Sequence, residues 1–365
     1  MESVIDHSQT PGLAALHIEN LRHIRRLHLD LNERLVILTG GNGAGKTTIL
    51  EAVYLLARGR SFRGRKAGSL TTHGEIYTAI RGLCANPSGY GASIEFRRDR
   101  DGAQRWLDSV PWEHQETRLP IAVKLVGENA QSLLEGDPAL RRTYLDWNVF
   151  HVEHAFGRLR KDFHRVLLQR NAALRTGSGN TSAWDRSFVE FAEAINRSRE
   201  QFFAAWRIQF TQLCHEFDFL ADCDLLFRRG WSEQDSLAAA LSQARSAEVS
   251  RGYTLVGPSR ADCVVTRDGQ AVLLSRGQTK TVVVLLQLAA DRVHAAHGAE
   301  ASIWLLDDLE AELDQDVCAR LRALLEATGA QRFITRVSAK PLADDESGDG
   351  VCMFHVEHGE VRASD

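Results

Sequence analysis

Gly40-Gly41-Asn42-Gly43-Ala44-Gly45-Lys46-Thr47 fits the pattern G-x-x-x-x-G-K-[ST], and its flanks give the pattern a structural meaning. Upstream, Arg34-Leu35-Val36-Ile37-Leu38-Thr39 reads as a buried strand. Downstream, Thr48-Ile49-Leu50-Glu51-Ala52-Val53-Tyr54-Leu55-Leu56-Ala57 sets apolar residues at 49, 50, 53, 56 and 57, the spacing of a helix face. Glycines let the chain curl so that several backbone N–H groups converge, and the following helix adds its positive N-terminal end. The stretch therefore predicts a polyphosphate cradle. Gly40, Gly41, Asn42, Gly43, Ala44 and Gly45 would hold phosphate largely through backbone. Lys46 would reach the β- and γ-phosphates, and the Thr47 hydroxyl would ligate Mg²⁺. ATP with Mg²⁺ is the expected cofactor.

Composition sets outer limits. A chain of 365 residues suggests roughly two or three domain-sized units. No apolar run approaches the ~18 residues of a bilayer span, and Met1 to Gln9 lacks a basic segment backed by an apolar core. Neither a membrane span nor a secretory signal is expected. Six cysteines, at 84, 214, 223, 263, 318 and 352, are scattered without a C-x-x-C pair. That predicts a reduced, cytoplasmic protein with neither a disulfide framework nor a zinc site. Net charge is −4, which does not advertise nucleic acid. The arginines are nevertheless clustered: Arg22, Arg25 and Arg26; Arg58, Arg60, Arg63, Arg65 and Lys66; Arg97, Arg98, Arg100 and Arg105. Such clusters can meet a phosphate backbone or can be solvated loops, and charge alone leaves DNA binding open.

Along the chain, residues 13–18 and 27–39 read as strands, and 76–108 as a meander broken by Gly, Pro and Asn. Segments 138–175, 183–217 and 233–248 have helical spacing, with a hairpin break at Thr176-Gly177-Ser178-Gly179-Asn180. The stripe Phe188, Phe191, Phe202, Phe203 and Trp206 reads as packing. Beyond 250 strands and helices alternate again, ending in a loop at Gly348-Asp349-Gly350 and a last strand at 351–356. The expected architecture is α/β, a mixed sheet with flanking helices and an antiparallel meander, carrying an inserted, mainly helical arm. Its ATPase domain would span 1–136 and 249–365, and its arm 137–248.

Two further motifs follow in order. Leu274-Ser275-Arg276-Gly277-Gln278 fits L-S-x-G-Q and heads the apolar segment Thr281 to Ala289. A serine hydroxyl, Gly277, Gln278 and a helix N-terminus make a second anion site. In ATPases of the ABC type this element meets the γ-phosphate of ATP held by the other subunit. Next, Ile303-Trp304-Leu305-Leu306-Asp307-Asp308 is an apolar strand ending in two carboxylates, the arrangement that delivers a magnesium-holding aspartate beside the glycine loop. Asp307 is expected to hold Mg²⁺, and Asp308 to polarise the attacking water where ABC-type ATPases usually carry glutamate. The shorter carboxylate suggests slow hydrolysis. Glu310-Ala311-Glu312-Leu313-Asp314 resembles the D-loop.

The chain as a whole resembles the RecF family of bacterial recombination-mediator ATPases, relatives of the Rad50 and SMC heads. The resemblance runs through Leu21-Arg22-His23-Ile24, the glycine loop, Leu50 to Leu56 and Gly59-Arg60-Ser61-Phe62-Arg63. It continues in Gly136-Asp137-Pro138 with Arg141 to Trp147, in Gln169 to Leu174, in Trp184-Asp185, and in Ser275-Arg276-Gly277-Gln278 with Lys280. It departs at Gly257-Pro258-Ser259-Arg260, where the family carries histidine at the position of Ser259, and at Gly127-Glu128, where the family usually has Pro-Glu. No Q-loop glutamine is evident at 121–131, and no switch histidine stands near Phe333-Ile334-Thr335. The resemblance implies an ATP-dependent homodimer that clamps DNA, single-stranded gaps and duplex alike and without reading sequence. It also implies a weak, DNA-stimulated ATPase, loading of RecA together with RecO and RecR, and a role in repair and the SOS response.

Three other readings compete. A transporter-type ATPase subunit would need the switch histidine and the Q-loop glutamine. An SMC-like structural tether needs long heptads between the first two motifs, and 137–247 is too short and irregular. A small-molecule kinase leaves L-S-x-G-Q unexplained. Finally, Phe-His-Val-Glu-His occurs at 150–154 and again at 354–358. Coincidence on solvated surface accounts for that repeat more simply than metal ligation.

Overall fold

The computed structural model describes residues 12–31, 33–64, 68–85, 91–112, 121–127, 130–176, 180–299, 302–337 and 350–363. Arg65, Lys66, Glu128, the centre of the expected hairpin break (177–179) and Gly348-Asp349 lie outside them. The first half of the chain forms β1 (Gly12–Leu21), β2 (Ile24–Asp30), β3 (Leu35–Thr39), α1 (Lys46–Arg58), β4 (Thr78–Ala85), β5 (Ala92–Arg98), β6 (Ala103–Leu107), β7 (Val110–Pro111) and β8 (Val123–Val126), then α2 (Gln131–Glu135), α3 (Pro138–Val152) and α4 (Ala155–Arg175). There follow α5 (Ser182–Cys214), β9 (Cys223–Arg228), α6 (Leu237–Arg251), β10 (Asp262–Arg267), β11 (Gln270–Ala271), α7 (Arg276–Ala296), β12 (Ile303–Leu306), α8 (Gln315–Glu326), β13 (Arg332–Arg336), β14 (Val351–Glu357) and β15 (Glu360–Ala363).

Packing divides the chain into two units, residues 1–128 with 300–365, and residues 129–299. The first unit holds two six-stranded sheets. One is an antiparallel meander in the order β2-β1-β4-β5-β6-β7. The other runs β15-β14-β3-β13-β12-β8 and is parallel except for the terminal β14–β15 hairpin. Strand β3 is buried along its whole length, between β13 and β14. A strand covered on both faces needs no polar alternation, which is why 35–39 reads as a continuous apolar run. Helix α1 touches strands of both sheets, so Ile49, Leu50, Ala52, Val53, Leu55 and Leu56 are all fully buried. The apolar periodicity seen in sequence widens here into a helix covered on most sides.

The second unit is mainly helical. Asp137 caps α3 by accepting from Ala139 N at 2.6 Å, with Pro138 in the first turn. The aromatic stripe on α5 is core: Phe188, Phe202, Phe203 and Trp206 are buried, and Trp206 Nε1 donates to Leu286 O of α7 at 2.8 Å. Buried arginines carry paired carboxylates, with Arg141 on Asp262, Arg199 on Asp146 and Arg170 on Glu248. A three-stranded sheet, β11-β10-β9, completes the unit. Residues 249–299, expected with the ATPase segments, pack with the helices instead, because α7 lies along α5 and β10 pairs with β9. No helix among the described residues is long and apolar enough to cross a membrane.

Candidate functional site

The glycine loop leaves β3 and returns into α1 through three glycines at positive φ: Gly40 at 145°, Gly43 at 78° and Gly45 at 126°. At Gly40 a Cβ would lie 2.2 Å from Val356 O, and at Gly45 it would lie 2.9 Å from His23 Nε2. Both positions need glycine for their backbone conformation, and Gly40 needs it for space as well, since the atom it would meet is backbone. Gly41 faces open space and carries no such constraint. The loop is also braced from the C-terminal hairpin, since Gly359 N donates to Ala44 O at 2.9 Å.

Lys46 opens α1 and is 5% exposed. Its Nζ donates back to Gly40 O at 2.8 Å and Gly41 O at 2.9 Å, which holds the ammonium at the loop. Thr47 Oγ1 donates to Asp307 Oδ1 at 3.0 Å. Asp307 arrives at the end of β12, its backbone N donating to Val126 O of β8 at 2.8 Å. The loop hydroxyl and the strand-end carboxylate, 260 positions apart in sequence, thus meet. Asp308 follows in the left-handed region, at φ 47°.

Sequence reasoning missed Thr335, at the end of β13. Its Oγ1 donates to Asp307 Oδ1 at 2.7 Å and accepts from Asp308 N at 2.9 Å. In the sequence this position stands out only by the absence of a nearby histidine.

Ser275, Gly277 and Gln278 lie in the second unit, at the head of α7. Ser275 Oγ accepts from Gln278 N at 3.3 Å, and Gln278 Oε1 accepts from Ser275 N at 3.0 Å. This is a capping box, legible in S-x-x-Q as such, at the positive end of a 21-residue helix.

The arginine clusters divide by role. Arg22 pairs with the buried Glu51 and donates to Gly68 O and Ser69 O. Arg105 is 7% exposed, stacks on Trp112, and donates to Ala57 O at 2.7 Å and Leu56 O at 3.3 Å at the end of α1. Burial, with Arg58 nearby, pushes its pKa down to about 10, so it remains a cation at neutral pH and neutralises the negative end of the helix. These two are engaged within the fold. Arg60, Arg98 and Arg100 are exposed. The histidine repeat does not gather a site either. His151 sits on α3 with Nδ1 against Trp147 O, His355 lies in β14, and among the described residues no group of three or more His, Cys, Asp or Glu side chains could hold a metal.

The donor set at Thr47 and Asp307, one hydroxyl and one carboxylate, suits a hard cation such as Mg²⁺. The glycine turns, Lys46 and the helix N-terminus suit a polyphosphate.

The family model "RecF/RecN/SMC N terminal domain" matches residues 12–360. The DNA replication and repair protein RecF of Edwardsiella ictaluri (strain 93-146) is 33% identical over 358 residues, 96% of this chain and 99% of that protein. Its counterpart in Cellvibrio japonicus (strain Ueda107) is 34% identical over 360 residues, again 96% and 99%. Among solved structures, the recombination mediator protein RecF-ATP in the RecFOR pathway covers 100% of both chains with TM-score 0.82 at 23% identity. The Smc head bound to the C-winged helix domain of ScpA covers 97% of each, with TM-score 0.60 at 13% identity. At these identities the structural likeness shows the fold, that of an ABC-type ATPase head.

Proposed function

Since the chain belongs to the RecF family, we propose that it is an ATP-binding and ATP-hydrolysing protein of DNA replication and repair that closes on DNA as a homodimer. The observation that carries this reading is the Thr47–Asp307 hydrogen bond, which joins the phosphate loop to the strand-end carboxylate. Backbone N–H groups from Gly40 to Gly45 bind the phosphates, and Lys46 moves its ammonium from the loop carbonyls to the β- and γ-phosphates. Thr47 and Asp307 hold Mg²⁺, which when bound neutralises the phosphate charge. Asp308 orients the attacking water. As an aspartate in place of the usual glutamate it reaches less far, which favours slow turnover.

Ser275, Gly277 and Gln278 present the head of α7 to the γ-phosphate of ATP held by the other protomer. ATP that binds only the closed dimer draws the monomers together, and hydrolysis releases them. Exposed arginines such as Arg60, Arg98 and Arg100 meet backbone phosphates without reading sequence. By the same family reading, the clamp forms at single-strand gaps, with RecO and RecR as partners in loading RecA.

Light scattering tests the reading, with ATP and Mg²⁺, with ADP and Mg²⁺, and without nucleotide, each with gapped duplex at low and high salt. A dimer with ATP only, and DNA affinity that falls steeply with salt, is expected. A protein that remains monomeric with ATP bound overturns the in-trans role of Ser275.

A further inference from the structure

Thr335 has a chemical role that its place in the fold makes specific. It lies on β13, between β3 and β12 in the parallel sheet, and is 1% exposed. Its single hydroxyl does two things. As donor it reaches Asp307 Oδ1, the same oxygen that Thr47 reaches from the loop side. As acceptor it takes the N–H of Asp308, whose backbone sits in the left-handed region. That conformation is uncommon outside glycine, although aspartate tolerates it better than most residues, and the bond from the Asp308 amide to Thr335 holds it in place. One side chain therefore fixes both carboxylate-bearing residues after β12: the first by its oxygen, the second by its backbone.

We propose that Thr335 is a positioning residue for the magnesium carboxylate, setting which oxygen of Asp307 faces the phosphate loop and the direction in which Asp308 leaves the strand. The argument rests on the proposed nucleotide reading and deepens it. A Thr47 hydroxyl that ligates a cation does so through a lone pair and keeps its proton, so its bond to Asp307 Oδ1 depends on how it turns to the ion. Thr335 reaches the same oxygen independently of the ion, so the carboxylate keeps its orientation between the empty and the loaded site. Threonine suits the position better than a residue that only donates, since the Asp308 amide needs an acceptor at the same atom. Residues that hold a metal ligand in this way tune affinity although they never touch the ion.

Three proteins and two conditions test this: wild type, Thr335→Val and Thr335→Ser, each titrated with a fluorescent ATP analogue in EDTA and across a Mg²⁺ series. Valine keeps the shape and removes the hydroxyl; serine keeps the hydroxyl. The expected result is equal affinity of all three proteins in EDTA. The Mg²⁺ concentration for half-maximal enhancement should rise by about tenfold in Thr335→Val and return to within about twofold of wild type in Thr335→Ser. Thermal scans run alongside separate general unfolding from the Mg²⁺ effect. An unchanged Mg²⁺ dependence in a folded Thr335→Val protein, or a serine variant as impaired as valine, overturns the proposal. Wild-type binding that ignores Mg²⁺ altogether overturns instead the underlying assignment of Thr47 and Asp307.

Discussion

Glu51, fully buried on the helix that follows the phosphate loop, holds Arg22 in a two-point pair: Nη2 to Oε1 at 2.7 Å and Nε to Oε2 at 3.1 Å. Ser61 donates to the same carboxylate and Arg63 stands 3.8 Å from it. One acidic side chain thus ties the β1–β2 turn and the segment after α1 to α1 itself. Removing it leaves a buried guanidinium without its counter-charge, which costs about 3–5 kcal/mol where a buried pair is broken on one side. Glu51→Ala should lower the unfolding free energy extrapolated from urea titration by an amount in that range, and Arg22→Lys should fail to match wild type because a lysine cannot make the fork. A Glu51→Ala protein as stable as wild type would show that the pair contributes nothing.

The loop glycines are not equivalent. Gly40→Ala drives a methyl to 2.2 Å from Val356 O at a φ of 145°, whereas Gly41→Ala meets nothing within 4 Å. The first variant should lose nucleotide binding and at least about 2 kcal/mol of stability, and the second should stay within about 0.5 kcal/mol of wild type. Thermal scans and nucleotide titration check both, and similar behaviour of the two variants would refute the geometry.

Lys46→Met removes the ammonium held by Gly40 O and Gly41 O. ATP binding and ATP-driven dimerisation should disappear together. Ser275→Arg should behave differently, binding ATP as a monomer but failing to dimerise. Retained ATP affinity in the first variant, or a dimer in the second, contradicts the assigned roles.

Acid should act through Asp224. The hydrogen bond from Arg207 holds its carboxyl below the usual range, against an opposing contribution from partial burial. A carboxyl with a depressed folded pKa stabilises above its unfolded value, about 3.9, and loses that contribution as pH falls through the folded value. Arg207 is 54% exposed, so screening keeps the gain under about 1 kcal/mol. Asp224→Asn should therefore be slightly less stable than wild type at pH 7 and equal to it near pH 2. A gap that persists at pH 2 would have another origin.

The glycine loop, the strand before it and the helix after it were legible because each carries a local signal: a glycine pattern, a continuous apolar run and a 3.6-residue period. Asp307 was legible as the end of an apolar strand. Strand β9 was not, because Cys223 to Arg228 sits among helices and becomes a strand by pairing with β10, more than thirty residues later. Strand β15 escaped for a similar reason, being a short continuation of the β14 hairpin. Thr335 carries no local mark at all; its role exists only once β13 lies beside β12. Nor can sequence distinguish an arginine buried against a helix end, such as Arg105, from an exposed one such as Arg98. Ser275 and Gln278 did show a capping box in their spacing, but the anion-site reading of the same residues obscured it.

The order in which the chain is made acquires a meaning from the position of β3. Its two sheet neighbours, β13 and β14, are the 332–336 and 351–357 segments, and the loop leans on Val356 and Gly359. A ribosome adding about 5–20 residues per second exposes the glycine loop some tens of seconds before the strands that shape it. Until then the apolar run of β3 is an unpaired strand on a nascent chain, a natural client for a chaperone. A message cut short before the last strands would yield a polypeptide that carries the entire G-x-x-x-x-G-K-T pattern and cannot form its cradle.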